Sequence, residues 1–345
     1  MINKNMTLNT KAGDLENRIQ PFLLKPACKD YLWGGNALAE KYGKEYGIHP
    51  LAETWECSVH PDGISLADSG KVKGKPLDEL LREYPQMLGT HPMKATGKAE
   101  LPILIKFIDA GQDASIQVHP DDEYARIHEN GENGKVEMWY VLDAKEDAKL
   151  VYGFYRDMDR ETVEESVTDG SIGKYLRKVN VKKDDVFYID PGCVHAIGEG
   201  VLLAEIQQNS NVTYRLYDYD RYDKDGNKRT LHVDKALEVA DLKASGTPRQ
   251  PMRILKYQPG CATELLCRCK YFQVERMLVN TAEQEKSAEI QVPDESFVVL
   301  MCLEGNGILT GEEELAFRKG DCIFVPAASG RLEITGQIQL LKVRC

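Results

Sequence analysis

The feature that most constrains the fold is a succession of short apolar segments, rich in β-branched and aromatic residues and separated by Gly, Asp and Asn. Many short strands at close intervals are typical of a β-sandwich or barrel of the jelly-roll kind. The predicted strands are 103–108, 114–118, 137–142, 149–154, 185–189, 202–207 and 213–217, followed by 272–278, 296–302, 307–309 and 322–325. The sequence therefore predicts a mostly β chain.

Helical spacing of apolar residues is confined to 76–88 and 233–242. The stretch 246–251, which contains glycine and proline, is the best candidate domain boundary. A length of 345 residues suits two domains. We therefore expect an N-terminal segment at 1–21, a larger β-domain with a few helices at 22–250, and a smaller β-domain at 251–345.

Charge and cysteine content restrict the partners and the compartment. Lys plus Arg number 44 against 55 Asp plus Glu, a net charge of -11 that disfavours binding to nucleic acid or to an anionic membrane. No apolar run is long enough for a membrane span, and the first 20 residues lack a signal-peptide core. Nine cysteines without a secretion signal indicate reduced thiols and a cytoplasmic protein. A monomer and a homodimer both remain open.

A row of polar residues interrupts the apolar pattern. Ser115, Gln117 and His119 alternate with apolar residues, so in a strand all three project to one face. The same alternation places Lys135 beside Glu137. Buried polar groups in such a row must bond to one another, to water, or to a metal and its ligand.

A turn at 190–196 adds His195 at a strand entrance. Together His119, Glu137 and His195 supply two imidazoles and a carboxylate, and Gln117 offers a neutral oxygen. That set suits zinc, or less selectively iron, manganese or cobalt. The alternative for each histidine alone is a hydrogen-bonded core or surface residue. The other histidines, which are His49, His60, His91, His128 and His232, are expected at the surface.

Four segments carry a family resemblance: PILIKFIDA at 102–110, SIQVHPD at 115–121, KVE at 135–137 and PGCVHA at 191–196. With WGG at 33–35 and ETW at 53–55, they resemble the type I mannose-6-phosphate isomerases, zinc-dependent members of the cupin superfamily. The resemblance implies a double-stranded β-helix (cupin) catalytic domain at 22–250. The segment 251–345 resembles a degenerate cupin, in a short form of the family.

The resemblance also implies an activity, the interconversion of mannose 6-phosphate and fructose 6-phosphate through an enediol. It implies one Zn²⁺ per chain. The family's ligands fall on Gln117, His119, Glu137 and His195, its substrate-pocket positions on Lys106, Ser115 and Trp33, and its catalytic positions on Lys135 and Arg215. A sugar phosphate is then the expected partner, in an enzyme of carbohydrate metabolism.

Two roles stay open. A metal ion near Lys135 would favour the uncharged amine, which can act as a base, but Lys135 could instead neutralise Glu137 or bind phosphate. Arg215 can bind either a developing oxyanion or phosphate oxygens, because its planar guanidinium donates two parallel hydrogen bonds.

The chain departs from the family where Asn211 replaces the Asp found four residues before the pocket arginine in many members. An amide cannot take up a proton as a carboxylate does, which puts a proton relay there in doubt. Residues 251–345 contain no histidine, so we expect no metal ligand or catalytic group from them. The rival interpretations are a cupin oxygenase, which also uses two histidines and a carboxylate, and a non-catalytic sugar-phosphate-binding cupin.

Overall fold

The computed structural model describes residues 19–223, 225–248, 250–281 and 287–345. Strands dominate this part of the chain, as the sequence predicts. The strands are β1 (Phe22–Lys25), β2 (Ala27–Lys29), β3 (Glu53–Cys57), β4 (Leu66–Ala67), β5 (Ile103–Asp109), β6 (Ile116–Val118), β7 (Glu137–Ala144), β8 (Lys149–Phe154), β9 (Leu176–Asn180), β10 (Val186–Ile189), β11 (His195–Ile197), β12 (Val201–Gln208), β13 (Tyr214–Tyr217), β14 (Leu255–Gln258), β15 (Cys261–Arg268), β16 (Gln273–Asn280), β17 (Ala288–Val292), β18 (Val298–Thr310), β19 (Glu314–Arg318), β20 (Cys322–Val325) and β21 (Gly330–Arg344). The α-helices are α1 (Ala37–Tyr42), α2 (Leu77–Glu83), α3 (His91–Thr96), α4 (Asp122–His128), α5 (Arg160–Thr168) and α6 (Val233–Val239).

Two sheets face each other to form the sandwich that contains the polar row. One has six strands in the order β10-β7-β12-β5-β3-β2, and the other has five in the order β13-β6-β11-β8-β9. Between them lies a buried apolar cluster that includes Ile108, Trp139, Leu150, Phe187 and Leu203. Since side chains alternate along each strand, the neighbours of these residues on β5, β7 and β12 point to the other face.

That other face of the six-stranded sheet packs against a ten-stranded sheet. Phe107 and Met138 share one apolar cluster with Val299, Phe324 and Val343. The large sheet also takes in the N-terminal strands, because β1 pairs with both β20 and β4. The division into domains at residue 250 stays a prediction. Of the predicted N-terminal segment 1–21, residues 1–18 lie outside the described residues.

The predicted helix 76–88 is shorter than expected. Helix α2 ends at Glu83, and a 3₁₀ turn follows at Pro85–Leu88, because proline cannot continue the helical hydrogen bonding. Helix α6 ends at Val239 rather than at residue 242. The segments 296–302 and 307–309 form parts of one long strand, β18, with a register irregularity between Cys302 and Glu304.

Sequence periodicity missed the short helices α4 and α5. Each begins after an aspartate whose carboxylate accepts a hydrogen bond from a first-turn amide: Asp121 from Tyr124 N, and Asp159 from Thr162 N. An aspartate is a preferred N-cap residue, so the sequence contained a signal for the start of each helix. Among the described residues no helix combines the length and the apolar character needed to cross a bilayer.

Candidate metal centre and active site

Three side chains from three different strands converge between the facing sheets. His119 follows the end of β6, His195 begins β11 on the same sheet, and Glu137 begins β7 on the opposite sheet. All three are buried, and one ligand atom from each lies within 4.8 Å of the others. The structure thus brings together the two imidazoles and the carboxylate that the sequence singled out.

Both imidazoles are held by backbone carbonyls. Nδ1 of His119 lies 2.9 Å from the oxygen of Val212, and Nδ1 of His195 lies 2.8 Å from the oxygen of Cys193. A ring nitrogen that faces a carbonyl oxygen must donate, which leaves Nε2 as the acceptor. The Nε2 atoms of His119 and His195 lie 3.2 and 3.6 Å from the two oxygens of Glu137. This orientation suits metal-binding histidines.

The protonation states agree with this geometry. Burial, and then the charge of Lys135, lowers the pKa of His119 to about 3. Burial also lowers the pKa of His195. Burial opposes ionisation of Glu137, but Lys135 and His119 hold its pKa well below the usual range. At neutral pH the cluster therefore presents two neutral imidazoles and one carboxylate, the forms that bind metals.

Gln117 lies between His195 and Arg215 in the register of three adjacent strands. Its amide nitrogen lies 3.4 Å from Nε2 of His195. Ser115 is two residues earlier on the same face, and its hydroxyl oxygen accepts from Nε of Arg215 at 3.3 Å. The predicted row of Ser115, Gln117 and His119 thus faces the interior of the sandwich.

Lys135 is buried beside the cluster. Its Nζ lies 3.0 Å from Oε1 of Glu137 and 3.4 Å from Nε2 of His119. The amine is therefore within reach of any group bound to these side chains.

Lys106 lies between two buried glutamates that the sequence analysis missed. Its Nζ is 3.4 Å from Oε2 of Glu53 and 3.2 Å from Oε1 of Glu205. Each glutamate also accepts from an indole: Glu53 from Trp55 at 2.7 Å, and Glu205 from Trp139 at 2.8 Å. A signal was available, since Glu205 lies between the apolar residues Ala204 and Ile206 of a predicted strand, where an unpaired charge would be costly.

This arrangement changes the pKa of Lys106 and the pKa of Glu205. Burial opposes the charge on Lys106, yet Glu53 and Glu205 raise its pKa above the usual value. Burial and the nearby charge of Glu137 raise the pKa of Glu205. The lysine charge is thus compensated locally by two carboxylates.

A group of arginines surrounds Asp218. Nε of Arg229 donates to Asp218 Oδ2 at 2.7 Å, and Nη2 of Arg221 donates to Oδ1 at 2.6 Å. Burial and the charge of Arg229 lower the pKa of Arg215, and Nη1 of Arg215 donates to the carbonyl oxygen of Thr230, next to Arg229, at 2.9 Å. Two guanidinium groups share the Asp218 carboxylate and Arg215 lies nearby, so this group, which we call the arginine cluster (Arg215, Arg221 and Arg229), keeps an excess of positive charge.

Trp33 belongs to the apolar interior of the sandwich. It is buried in the apolar cluster between the sheets, and its ring centroid is 5.8 Å from that of Tyr31. Burial and the charge of Glu53 raise the pKa of Tyr31 to about 12. A substrate contact by Trp33 stays a prediction.

Asn211 donates to Oδ2 of Asp62 at 2.7 Å, so a carboxylate is present next to the amide that replaces the expected one. Nδ1 of His60 lies 3.6 Å from the same oxygen and accepts from the Asp62 amide at 3.2 Å. The expectation that His60 lies at the surface is wrong, because only 7% of the residue is exposed. Its ring packs edge-on against Trp55.

A β-sandwich that holds a buried His–Glu–His cluster beside lysines and an arginine cluster defines an enzyme of the cupin type. Residues 22–150 match the catalytic domain of type I phosphomannose isomerase, and residues 262–345 match the cupin domain of mannose-6-phosphate isomerase. The chain belongs to the type I phosphomannose isomerase family.

Similarity to individual relatives extends over nearly the whole chain. Mannose-6-phosphate isomerase ManA of Bacillus subtilis is 37% identical over 93% of this chain and 98% of its own length. The Streptococcus mutans mannose-6-phosphate isomerase is 33% identical over 93% of this chain and 97% of its own length. The crystal structure of the Bacillus subtilis mannose 6-phosphate isomerase superposes with a TM-score of 0.84 at 33% identity, covering 94% of this chain and 99% of that one.

These findings confirm the predicted family, the cupin fold and the isomerase class. They give no support to the oxygenase or to the non-catalytic binding protein.

Proposed function

We propose that this chain interconverts mannose 6-phosphate and fructose 6-phosphate at a site that holds one zinc ion per chain. The observation that carries the proposal is the pair of imidazole Nε2 atoms directed at Glu137, with Lys135 Nζ 3.0 Å from the same carboxylate. The similar proteins of Bacillus subtilis and Streptococcus mutans are mannose-6-phosphate isomerases, which supports this substrate.

The donor set fits a zinc ion. Two neutral imidazoles and one carboxylate are common zinc ligands. Both Glu137 oxygens are buried and accept no hydrogen bond of good geometry from the described residues. Rotation of the Gln117 amide would bring its oxygen, in place of its nitrogen, towards His195, as a fourth ligand. When bound, the ion would supply a Lewis acid for the sugar oxygens.

Isomerisation moves a proton between adjacent carbons of the sugar. In this proposal the unprotonated form of the Lys135 amine takes the proton from C2 of the aldose and returns it to C1, while the hydroxyl proton of O2 passes to O1, which yields the ketose. Arg215 stabilises the negative charge that develops on the sugar oxygen. In the alternative role Lys135 only neutralises Glu137, and the base is a different group.

The phosphate is best accommodated by the arginine cluster. Lys106 has two carboxylates within 3.4 Å, so little of its charge remains for an anion. The cluster has three guanidinium groups and one carboxylate, and planar guanidinium groups match phosphate oxygens bidentately. We therefore assign the phosphate to Arg229, keep Arg215 for the developing negative charge on the sugar oxygen, and assign Lys106 to holding Glu53 and Glu205 in place.

The main test is a coupled assay with mannose 6-phosphate on protein of known metal content. We expect turnover that a chelator abolishes and that zinc restores, with close to one zinc per chain by elemental analysis. Turnover that persists in metal-free protein would contradict the zinc proposal. Absence of turnover in zinc-loaded protein would contradict the function itself.

The two roles of Lys135 differ in what they predict for isotope exchange. If Lys135 is the base, Lys135→Met abolishes exchange of the C2 proton of mannose 6-phosphate with D₂O, as followed by NMR, while zinc content is kept. If Lys135 only neutralises Glu137, the same variant loses zinc but retains exchange when zinc is added in excess.

For the phosphate, Arg229→Gln should raise KM for mannose 6-phosphate more than it lowers kcat, because it removes a contact remote from the reacting carbons. Lys228→Gln is the matched control, since its Nζ pairs with Asp220 and not with Asp218. Equal KM values for Arg229→Gln and the control would remove the arginine cluster from the phosphate site.

The setting of this activity is also proposed. An acidic chain whose nine cysteines are all free suits a cytoplasmic enzyme of carbohydrate metabolism that acts as a monomer or homodimer. Its partner is a small sugar phosphate.

A further inference from the structure

Tyr271, in the connection between β15 and β16 of the ten-stranded sheet, reaches the catalytic sandwich. Its hydroxyl donates to Oδ2 of Asp122. Asp122 is the first residue of α4 and lies three residues after His119. This hydrogen bond joins the C-terminal region to the chain segment that leaves the metal cluster.

The other oxygen of Asp122 continues the connection. Oδ1 accepts from the amide of Gly134 at 3.0 Å and from the side-chain nitrogen of Gln208 at 2.9 Å. Gln208 in turn binds both backbone groups of Val136. Its side-chain oxygen accepts from Val136 N at 2.9 Å, and its backbone amide donates to Val136 O at 3.1 Å.

The residues fixed in this way flank the chemistry. Gly134 and Val136 lie on either side of Lys135, and Val136 precedes Glu137. Gly134 is closely packed, since a Cβ there would collide with the backbone of Asp121 and Asp122. Gln208 is only 3% exposed, so its hydrogen bonds are shielded from water.

We propose that Tyr271 is a positioning residue for the isomerisation: through Asp122 and Gln208 it holds the backbone that carries Lys135 and Glu137. The inference rests on the function proposed above and deepens it. The C-terminal region then supplies neither ligand nor catalytic group, as expected from its lack of histidine, yet still affects turnover. Removing a group that holds metal ligands in place typically lowers activity by about 10- to 100-fold.

The test compares Tyr271→Phe with Tyr257→Phe in the full-length zinc enzyme. Tyr257 lies in the same region, is 79% exposed, and its hydroxyl makes no hydrogen bond with the described residues. At saturating zinc we expect kcat of Tyr271→Phe to fall about 10-fold or more, with KM changed less than about threefold, because the arginine cluster is untouched. Tyr257→Phe should behave as the wild type.

A second readout does not depend on activity. Hydrogen exchange of the amides at 134–137 should accelerate in Tyr271→Phe relative to amides elsewhere in β7, since the anchor of that segment is weakened. A uniform acceleration of all amides with unchanged kcat would show a merely structural role and overturn the proposal. If wild-type protein proved inactive, the function proposed above would fail, whereas the exchange at 134–137 would still decide whether Tyr271 holds this segment.

A double-mutant cycle tests whether the residues act in series. Tyr271→Phe and Gln208→Leu should each lower kcat, and the double variant should lose little more than the stronger single variant. Additive losses would mean that Tyr271 does not act through Gln208, which overturns the proposal. Asp122→Ala, which also removes the hydrogen bond to Gly134, should lower kcat at least as much as the double variant.

Discussion

Two of the buried interiors of this molecule differ in what they contain. Between the six- and five-stranded sheets, Lys106, Lys135, Glu137 and Glu205 are at most 3% exposed. Within the ten-stranded sheet an apolar cluster that includes Leu300 and its neighbours fills the space. Both interiors are lined by strands whose side chains alternate in direction, but only the first contains buried charged groups. Removing these groups from water is energetically unfavourable. In the sandwich these charged groups gather beside the His–Glu–His cluster, where the proposed chemistry needs them.

The largest expected effect is at the metal cluster. His119→Ala or His195→Ala should remove most of the bound metal and nearly all turnover, because each deletes one ligand. Elemental analysis and the coupled assay measure the two losses. Full metal content with unchanged turnover in either variant would refute the ligand assignment.

A matched pair of variants separates stability from chemistry in the two interiors. Lys106→Met leaves Glu53 and Glu205 buried without their cation and should cost about 3 to 5 kcal/mol of unfolding free energy. Leu300→Ala leaves a cavity and should cost about 2 to 5 kcal/mol. Only Lys106→Met should lower kcat of the folded enzyme, by about a hundredfold, because the carboxylates beside the site shift. Equal kcat values in the two folded variants would show that the charged network is structural.

The third prediction concerns acid sensitivity. Burial lowers the pKa of His60 below 6.5, so the unfolded chain takes up the proton more readily than the folded one. Stability should therefore be fully present above about pH 6.5 and fall as the pH drops through that value, by at most about 1.4 kcal/mol per pH unit from this residue. Urea unfolding of wild type and His60→Gln between pH 5 and 8 checks it. Parallel profiles would contradict the assignment. Residues 251–345 have no histidine and should add nothing in this window.

The smallest expected effect is at Asp321 in the C-terminal region. Its carboxylate accepts from the amide of Arg318 and caps a turn. Asp321→Asn should leave kcat within about a factor of two, because surface substitutions away from the site usually change stability by no more than about 0.5 kcal/mol. A large loss of turnover with zinc content and thermal stability intact would mean that the C-terminal region reaches the site by a route other than Tyr271.

Local patterns in the sequence determined much of this protein. Alternation placed Ser115, Gln117 and His119 on one face, because side-chain direction in a strand depends only on position. The turn at 190–196 indicated that His195 lies at the entrance of a strand. The family motifs are equally local, which is why the isomerase class followed from them. Helix ends were less certain, since the ends of short helices such as α2 depend on single residues such as Pro85.

Only the tertiary structure decided which distant residues meet. Glu53 and Glu205 flank Lys106 because β3, β5 and β12 lie side by side, a strand order that no local pattern specifies. His60 is buried because its loop packs against Trp55, although its sequence neighbours look like a surface turn. Tyr271 donates a hydrogen bond to Asp122, although the two residues are 149 positions apart in the sequence. Contacts of this kind follow from how whole sheets stack, which depends on the summed packing of many side chains rather than on any one of them.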